Sequence, residues 1–414
     1  MNFDCQIDLN KLDKLANLAV QTGLSIKPGQ DLLITSPIEA LPLVRRIAFH
    51  AYQAGANLVT PLFSDSELTL MRYTHAPDSS FDQASHWLYK GMAEAFNTNT
   101  ARLAIVGDDP MLLEKQDPEK IGRSSKAVSK ASKPARDSIT SFNINWNIIA
   151  WPGSAWAARV FPSLPIIEAQ NHLAEAIFSA SRVSTPDPIK AWQQHNANLL
   201  EKSSWLNQKN FQYLHFKGPG TDLKVGLAEN HTWMGGASKC QNGITCNPNI
   251  PSEEVFTTPH CLKVEGTARS TKPLSYQGTL IDEIQVIFKE GKIIEAKASK
   301  GEEVLQKILD IDEGARRLGE VALVPDSSPI SQSNLLFFNT LFDENAACHI
   351  ALGQCYSKCF NGGNELSEKK IKEFGGNSSM IHIDWMIGSK AINIDGLNDA
   401  NSSTPIFRNG EWVD

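Results

Sequence analysis

The residues able to do chemistry gather in the second half of this chain, and the clearest are His382 and Asp384, in the run 380–388. In a strand, residues two apart share a face, so His382 and Asp384 project together while Ile381, Ile383 and Trp385 take the other side. Such a pair in apolar sequence is costly to bury unless it is hydrogen-bonded or metal-bound. One imidazole beside one carboxylate is half of a divalent-cation site; a plain His–Asp hydrogen bond fits the two residues as well. His349 lies among small apolar residues, with Tyr356 seven positions on. A buried ligand and a core histidine bonded to backbone both suit it. Glu320 follows a helical run, 314–319, and precedes the apolar run 321–325. It is either an exposed helix-end residue or an inward ligand. Glu253 and Glu254 follow Pro251-Ser252, and extended backbone points them to opposite sides, so one of them reaches a given metal. Two or three carboxylates with two histidines suit a pair of divalent cations about 3.5–4 Å apart that share a carboxylate, an arrangement that activates water and polarises a carbonyl.

The elements that must position these groups differ between the two halves. Leu12, Leu15, Leu18 and Ala19 recur at helical spacing before Gly23, and 38–55 reads as a second helix ending on glycine. Apolar runs at 32–35, 58–63, 103–106 and 146–151 read as strands. Strands separated by helices predict βαβ units and a mostly parallel sheet. After a polar, helix-rich stretch at 186–209 the texture changes to short alternating segments at 213–216, 223–227, 285–288 and 293–296. The last two are joined by Lys289-Glu290-Gly291-Lys292, a hairpin turn. Residues 301–318 are helical in pattern. The sequence therefore predicts an N-terminal α/β domain with a mostly parallel sheet (1–204) and an α+β C-terminal catalytic domain with mixed or antiparallel sheet (205–414).

Composition narrows the function. The chain has 414 residues and a formal charge of −7, which speaks against a nucleic-acid partner. The N-terminus has no basic stretch before an apolar one, and no apolar run is long enough to span a bilayer, which predicts a cytoplasmic protein without membrane association. The seven cysteines (5, 240, 246, 261, 348, 355 and 359) are odd in number and scattered, unlike a disulfide framework, and none is spaced as a Cys-x2-Cys zinc knuckle. Gly107-Asp108-Asp109 ends an apolar run, yet no dinucleotide or P-loop fingerprint follows any strand, so the first half reads as a scaffold. No Gly-x-Ser-x-Gly elbow and no Gly-Asp-x-His phosphatase motif is present. His50, His86, His172 and His195 fall in helical stretches as surface or core histidines.

Four segments, 249–257, 314–320, His349 to Tyr356 and His382-Ile383-Asp384, stand in an order and spacing that resembles the thermophilic metalloaminopeptidase family of aminopeptidase T, AmpS and PepS. The resemblance runs over essentially the whole chain. It implies metal ligands at Glu254, Glu320, His349, His382 and Asp384, with Glu320 as the bridging carboxylate and Tyr356 as the active-site tyrosine. It also implies two divalent ions (zinc, cobalt or magnesium), a homodimer, and removal of N-terminal amino acids from peptide substrates. Within that reading Tyr356 donates to the developing oxyanion, and Glu253 is a candidate general base or amine anchor. The alternative is a non-catalytic, metal-dependent dimeric binding module.

Overall fold

Leu32, Leu33 and Ile34 are buried in the first strand, β1 (Leu32–Pro37), as a strand covered on both faces must be. The computed structural model describes residues 7–276, 278–398 and 402–413, so Cys5 lies outside the described residues. Strand β1 pairs in parallel with β2 (Val59–Ser64) and β3 (Ala101–Val106), and β3 pairs in parallel with β4 (Trp146–Ala150), in the order β2-β1-β3-β4. The edge strand β2 is mostly exposed and carries Pro61, which has no N–H to offer a ladder. The helices Leu41–Gln53, His86–Asn97 and Pro118–Thr140 separate these strands. This is the α/β arrangement predicted.

The chain divides into two units. One contains 1–194 and 237–251, the other 195–236 and 252–414. The excursion 237–251 adds to the free edge of β4: Ile148 N–H donates to Pro248 O at 2.7 Å, and Ile250 N–H donates to Ile148 O at 3.0 Å. No apolar periodicity marks that segment as part of the first unit.

Among its described residues the second unit has two larger sheets and a two-stranded pair, Leu274–Tyr276 with Thr279–Ile281. An antiparallel sheet of five short strands carries the functional residues: β5 (Met234–Gly235), β6 (Val255–Thr257), β7 (Leu318–Leu323), β8 (His349–Gly353) and β9 (His382–Met386), in the order β9-β8-β7-β6-β5. The other, of eight strands, includes Tyr213–Gly218, Thr221–Leu227, Pro259–Arg269 and the hairpin Gln285–Lys289/Lys292–Lys297. Glu290 and Gly291 both have positive φ at that hairpin's turn, as its sequence predicted. One face of the five-stranded sheet, with Val255, Val321, Leu323, Ile350, Leu352, Ile383 and Trp385, packs into a core shared with Leu214, Phe216, Leu223 and Val225.

The helical reading of 301–318 is corrected. The helix spans Glu302–Leu309, a single turn follows at Glu313–Arg316, and β7 begins at Leu318. Asp312 breaks the run: its backbone is extended (φ −158°) and its carboxylate caps the turn by accepting from Ala315 N–H. Glu320 is thus neither at a helix end nor exposed. It lies inside a wholly buried strand.

Candidate metal centre

The register of the five-stranded sheet determines which side chains share the face away from the core. His349 stands opposite Met386, Ala351 opposite Asp384, and Gly353 opposite His382. Across the next pair, Ala322 is opposite His349 and Glu320 opposite Ala351. Two residues on β7, Leu318 and Glu320, would ordinarily face the same way. The pairing slips between them, Leu318 opposing Leu352 and Glu320 opposing Ala351, so Gly319 is the extra residue of a bulge. The bulge sends Leu318 into the core and Glu320 to the other face. Only glycine fits there, because a Cβ at 319 would lie 2.4 Å from the carbonyl oxygens of Gly353 and Gln354. Ala322, Ala351 and Gly353 keep the floor of this face low between the larger polar groups.

On that floor five of the predicted residues converge. His349 Nε2 is 3.2 Å from Glu254 Oε2 and 3.7 Å from Glu320 Oε1. His382 Nε2 is 3.4 Å from Glu320 Oε2 and 3.4 Å from Asp384 Oδ1. Donor atoms of Glu254, Glu320 and His349 lie within 4.8 Å of one another, as do those of Glu320, His382 and Asp384. Glu320 belongs to both groups and offers one oxygen to each. Glu320 is 4% exposed and His349 1%. Among the described residues, the ion-pair partners of these carboxylates are the two imidazoles alone.

The backbone orients both imidazoles. His349 Nδ1–H donates to Ala347 O at 3.2 Å, and His382 Nδ1–H donates to Gln354 O at 2.7 Å. A carbonyl can only accept, so each ring turns Nε2 to the carboxylates, as metal-binding histidines do. Asp384 Oδ1 is buried without a hydrogen bond. These donors fit divalent cations: oxygen and imidazole ligands, two triads with a common member, and an orphaned carboxylate oxygen for an ion to complete.

Electrostatics follow from this crowding. Burial alone would lower the pKa of His349, but Glu254 and Glu320 beside it raise it well above the ordinary value. Burial opposes protonation of His382 in the same way and is outweighed by Asp384 and Glu320. Burial, with Glu320 nearby, raises the Glu254 carboxyl. Asp384 is held below the usual carboxylate range; burial pushes it up, and the two imidazoles prevail.

Tyr356 stands over the cluster, its ring centroid 4.7 Å from that of His382. Burial of its hydroxyl and the charges of Glu320, Asp384, Glu344 and Glu254 push its pKa well up, so it remains a phenol and a donor. Glu253 points elsewhere, as alternation predicts. Its carboxylate is 3.7 Å from His195 Nε2, and it is in neither triad. Its N–H donates to Asn345 Oδ1 at 2.6 Å. The residue that sequence reasoning missed is Glu344, in the turn Glu344–Ala346. Burial and the charges of Glu254, Asp384 and Glu320 drive its carboxyl well above the ordinary value, against His349. A signal was available: Asp343-Glu344 is an acidic pair directly before the apolar run that leads to His349.

The family described as Thermophilic metalloprotease (M29) matches residues 8–412. The chain belongs to that family. This metalloprotease is 51% identical to Aminopeptidase T of Thermus thermophilus, over 97% of this chain and 98% of the relative. It is 44% identical to Aminopeptidase 2 of Geobacillus stearothermophilus and 41% to Aminopeptidase AmpS of Bacillus subtilis, again over 97% of this chain and 98% of each. The solved structure of wild-type AmpT from Thermus thermophilus superposes with a TM-score of 0.93 at 50% identity, covering 98% of this chain and 99% of that one. The relatives are named as enzymes, and the alternative of a non-catalytic binding module finds no support among them. No helix among the described residues is long and apolar enough to cross a membrane.

Proposed function

We propose that this metalloaminopeptidase releases N-terminal amino acids from peptides at a centre for two divalent ions, zinc, cobalt or magnesium, held by Glu254, Glu320, His349, His382 and Asp384. The observation that carries the reading is Glu320, with one carboxylate oxygen turned to His349 and the other to His382. A pair of divalent ions, when bound, supplies Lewis acidity that polarises a carbonyl and brings a water's pKa toward neutrality.

The chain's own residues do the remainder. The backbone carbonyls of Ala347 and Gln354 keep both imidazoles in the ligating tautomer. Tyr356, held as a phenol, donates a hydrogen bond to the substrate carbonyl oxygen as it gains charge. Glu344, whose carboxyl retains its proton more strongly than an ordinary glutamate, suits proton transfer from water to the departing amine. Glu253 is the other candidate for that role, from its position beside His195. The surplus of carboxylates favours a peptide's free amino end, which accounts for an exopeptidase. A homodimer in the cytoplasm completes the proposal; the six described cysteines, all free thiols, suit a reducing compartment.

The test is release of chromophore from aminoacyl anilides by purified protein, before and after chelation, with each metal then restored. Activity that returns with metal and is absent for N-acetylated substrates supports the reading. In Glu320→Ala, kcat should fall more than ~100-fold and bound metal should drop. Full activity and full metal content in that variant would remove Glu320 from the bridging role.

A further inference from the structure

The row of side chains containing His349 continues across the sheet away from β9. Ala322 is opposite His349, Phe256 opposite Ala322, and Met234 opposite Phe256. Residue 256 is two positions beyond Glu254, so both project from the same face of the chain. Its flanking residues Val255 and Thr257 take the other face, Val255 entering the core. A large aromatic side chain therefore stands on the ligand face, two strands from His349, about 10 Å at the backbone given the usual strand spacing. In that row Ala322, with its small methyl group, is the residue between them. The Phe256 ring lies 6.0 Å from that of Tyr356, edge to face, and Tyr356 in turn lies over His382.

Burial sets this group apart from the core. Phe256 and Met234 are half-buried, and Tyr356 is 43% exposed. Val321, Ile350 and Trp385, on the other face of the same sheet, are fully buried. Two large apolar residues with open surface, beside a floor of carboxylates and imidazoles, form a wall without a structural use in the sheet.

Resting on the aminopeptidase reading, we infer that Phe256, with Met234 beside it and the edge of Tyr356 against it, is the wall on which the side chain of the substrate's first residue packs. The enzyme therefore favours large apolar first residues. Alanine leaves the wall uncovered, and glutamate brings a further negative charge to a face that already carries four carboxyls.

The test compares Leu-, Phe-, Ala- and Glu-anilides on the metal-loaded wild type, Phe256→Ala and Phe256→Leu, with bound metal and melting temperature measured for each protein. In the wild type, kcat/KM should rank Leu and Phe above Ala, and Ala above Glu. Phe256→Ala should lower kcat/KM for Leu and Phe by ~10–100-fold, the range that apolar pocket contacts provide, and for Ala only a few-fold. Phe256→Leu, which keeps most of the volume, should change the ratio of Phe to Leu with full metal content. A uniform fall over all four substrates, or unchanged ratios in both folded, metal-loaded variants, overturns the wall. Wild-type protein that releases none of the four with any metal overturns the aminopeptidase reading itself, and the wall with it.

Discussion

Each glutamate near the proposed centre takes its surroundings from the way its local backbone turns it. Glu253 and Glu254 are adjacent, yet one faces His195 and the other His349. Glu344 faces the ligands from a separate turn. Its raised carboxyl pKa arises from burial and from neighbouring negative charge, so it holds its proton more strongly than an ordinary glutamate does. Glu344→Gln preserves shape and removes the titration. Its kcat should fall ~100-fold or more with metal retained, and the corresponding limb of the pH–rate profile should vanish. Glu253→Gln should leave that limb in place and act mainly on thermal stability, because the Glu253 carboxylate lies 3.7 Å from His195 Nε2 and in neither triad. The reverse pattern in stopped-flow and pH-rate measurements would return proton transfer to Glu253.

The elements around the centre hold it by specific backbone devices. The Gly319 bulge re-aims Glu320. Asp312 receives Met380 N–H at 2.6 Å and Ser379 Oγ at 2.9 Å, fastening the approach to β9 and its His382. Burial pushes the Asp312 carboxyl up, but these donors, with the Ala315 and Gly314 amides, hold it below its ordinary value. That contribution is present above about pH 4 and is lost as pH falls through the depressed value. Buried Asn377 donates to Gly353 O at 2.7 Å and Gly314 O at 2.8 Å, joining the end of β8 to the same turn. Gly319→Ala places a methyl group against two carbonyl oxygens, so β7 or the 353–354 backbone must shift. Bound metal should fall below half of wild type, and kcat should drop at least ~10-fold, since small displacements of catalytic groups are expensive. Full metal content by mass spectrometry, with wild-type kcat, would show that the bulge does not aim Glu320.

For the whole molecule, the proposed centre would set metal and protons in competition for one set of groups. In chelated protein, the raised pKa values of His349 and His382 mean that their protonated pairs contribute stability in full below the ordinary imidazole value of about 6.5. That contribution is lost as pH rises through the raised folded values. The raised carboxyls of Glu254 and Glu344 act in the same direction. Ligation requires those protons to leave. The melting temperature of chelated protein should therefore fall on going from about pH 6 to about pH 8, and the gain on adding zinc should grow over the same range. Scanning calorimetry with and without zinc checks this; a zinc gain that is flat or shrinks with pH would separate the centre's protonation from its metal binding.

Residue types and their periodicity specified the chemistry available to the proposed centre and much of the secondary structure. His382 and Asp384 share a face because strand geometry has period two, and Glu253 and Glu254 part for the same reason. The parallel sheet of the first half was legible because short apolar runs alternate with helical stretches, and parallel neighbours need such crossovers. The remainder depends on contacts between segments distant in the chain. A bulge at Gly319 changes the phase of β7 by one residue, and local pattern cannot show that Leu318 and Glu320 face opposite ways. Residues 237–251 join the first unit through backbone hydrogen bonds to β4, which leave no mark in side-chain periodicity. Glu344 acquires its raised pKa from burial and from Glu254, Glu320 and Asp384, brought near it only when the chain is folded, because the energy of a buried carboxyl depends on its neighbours in space and not on those in sequence.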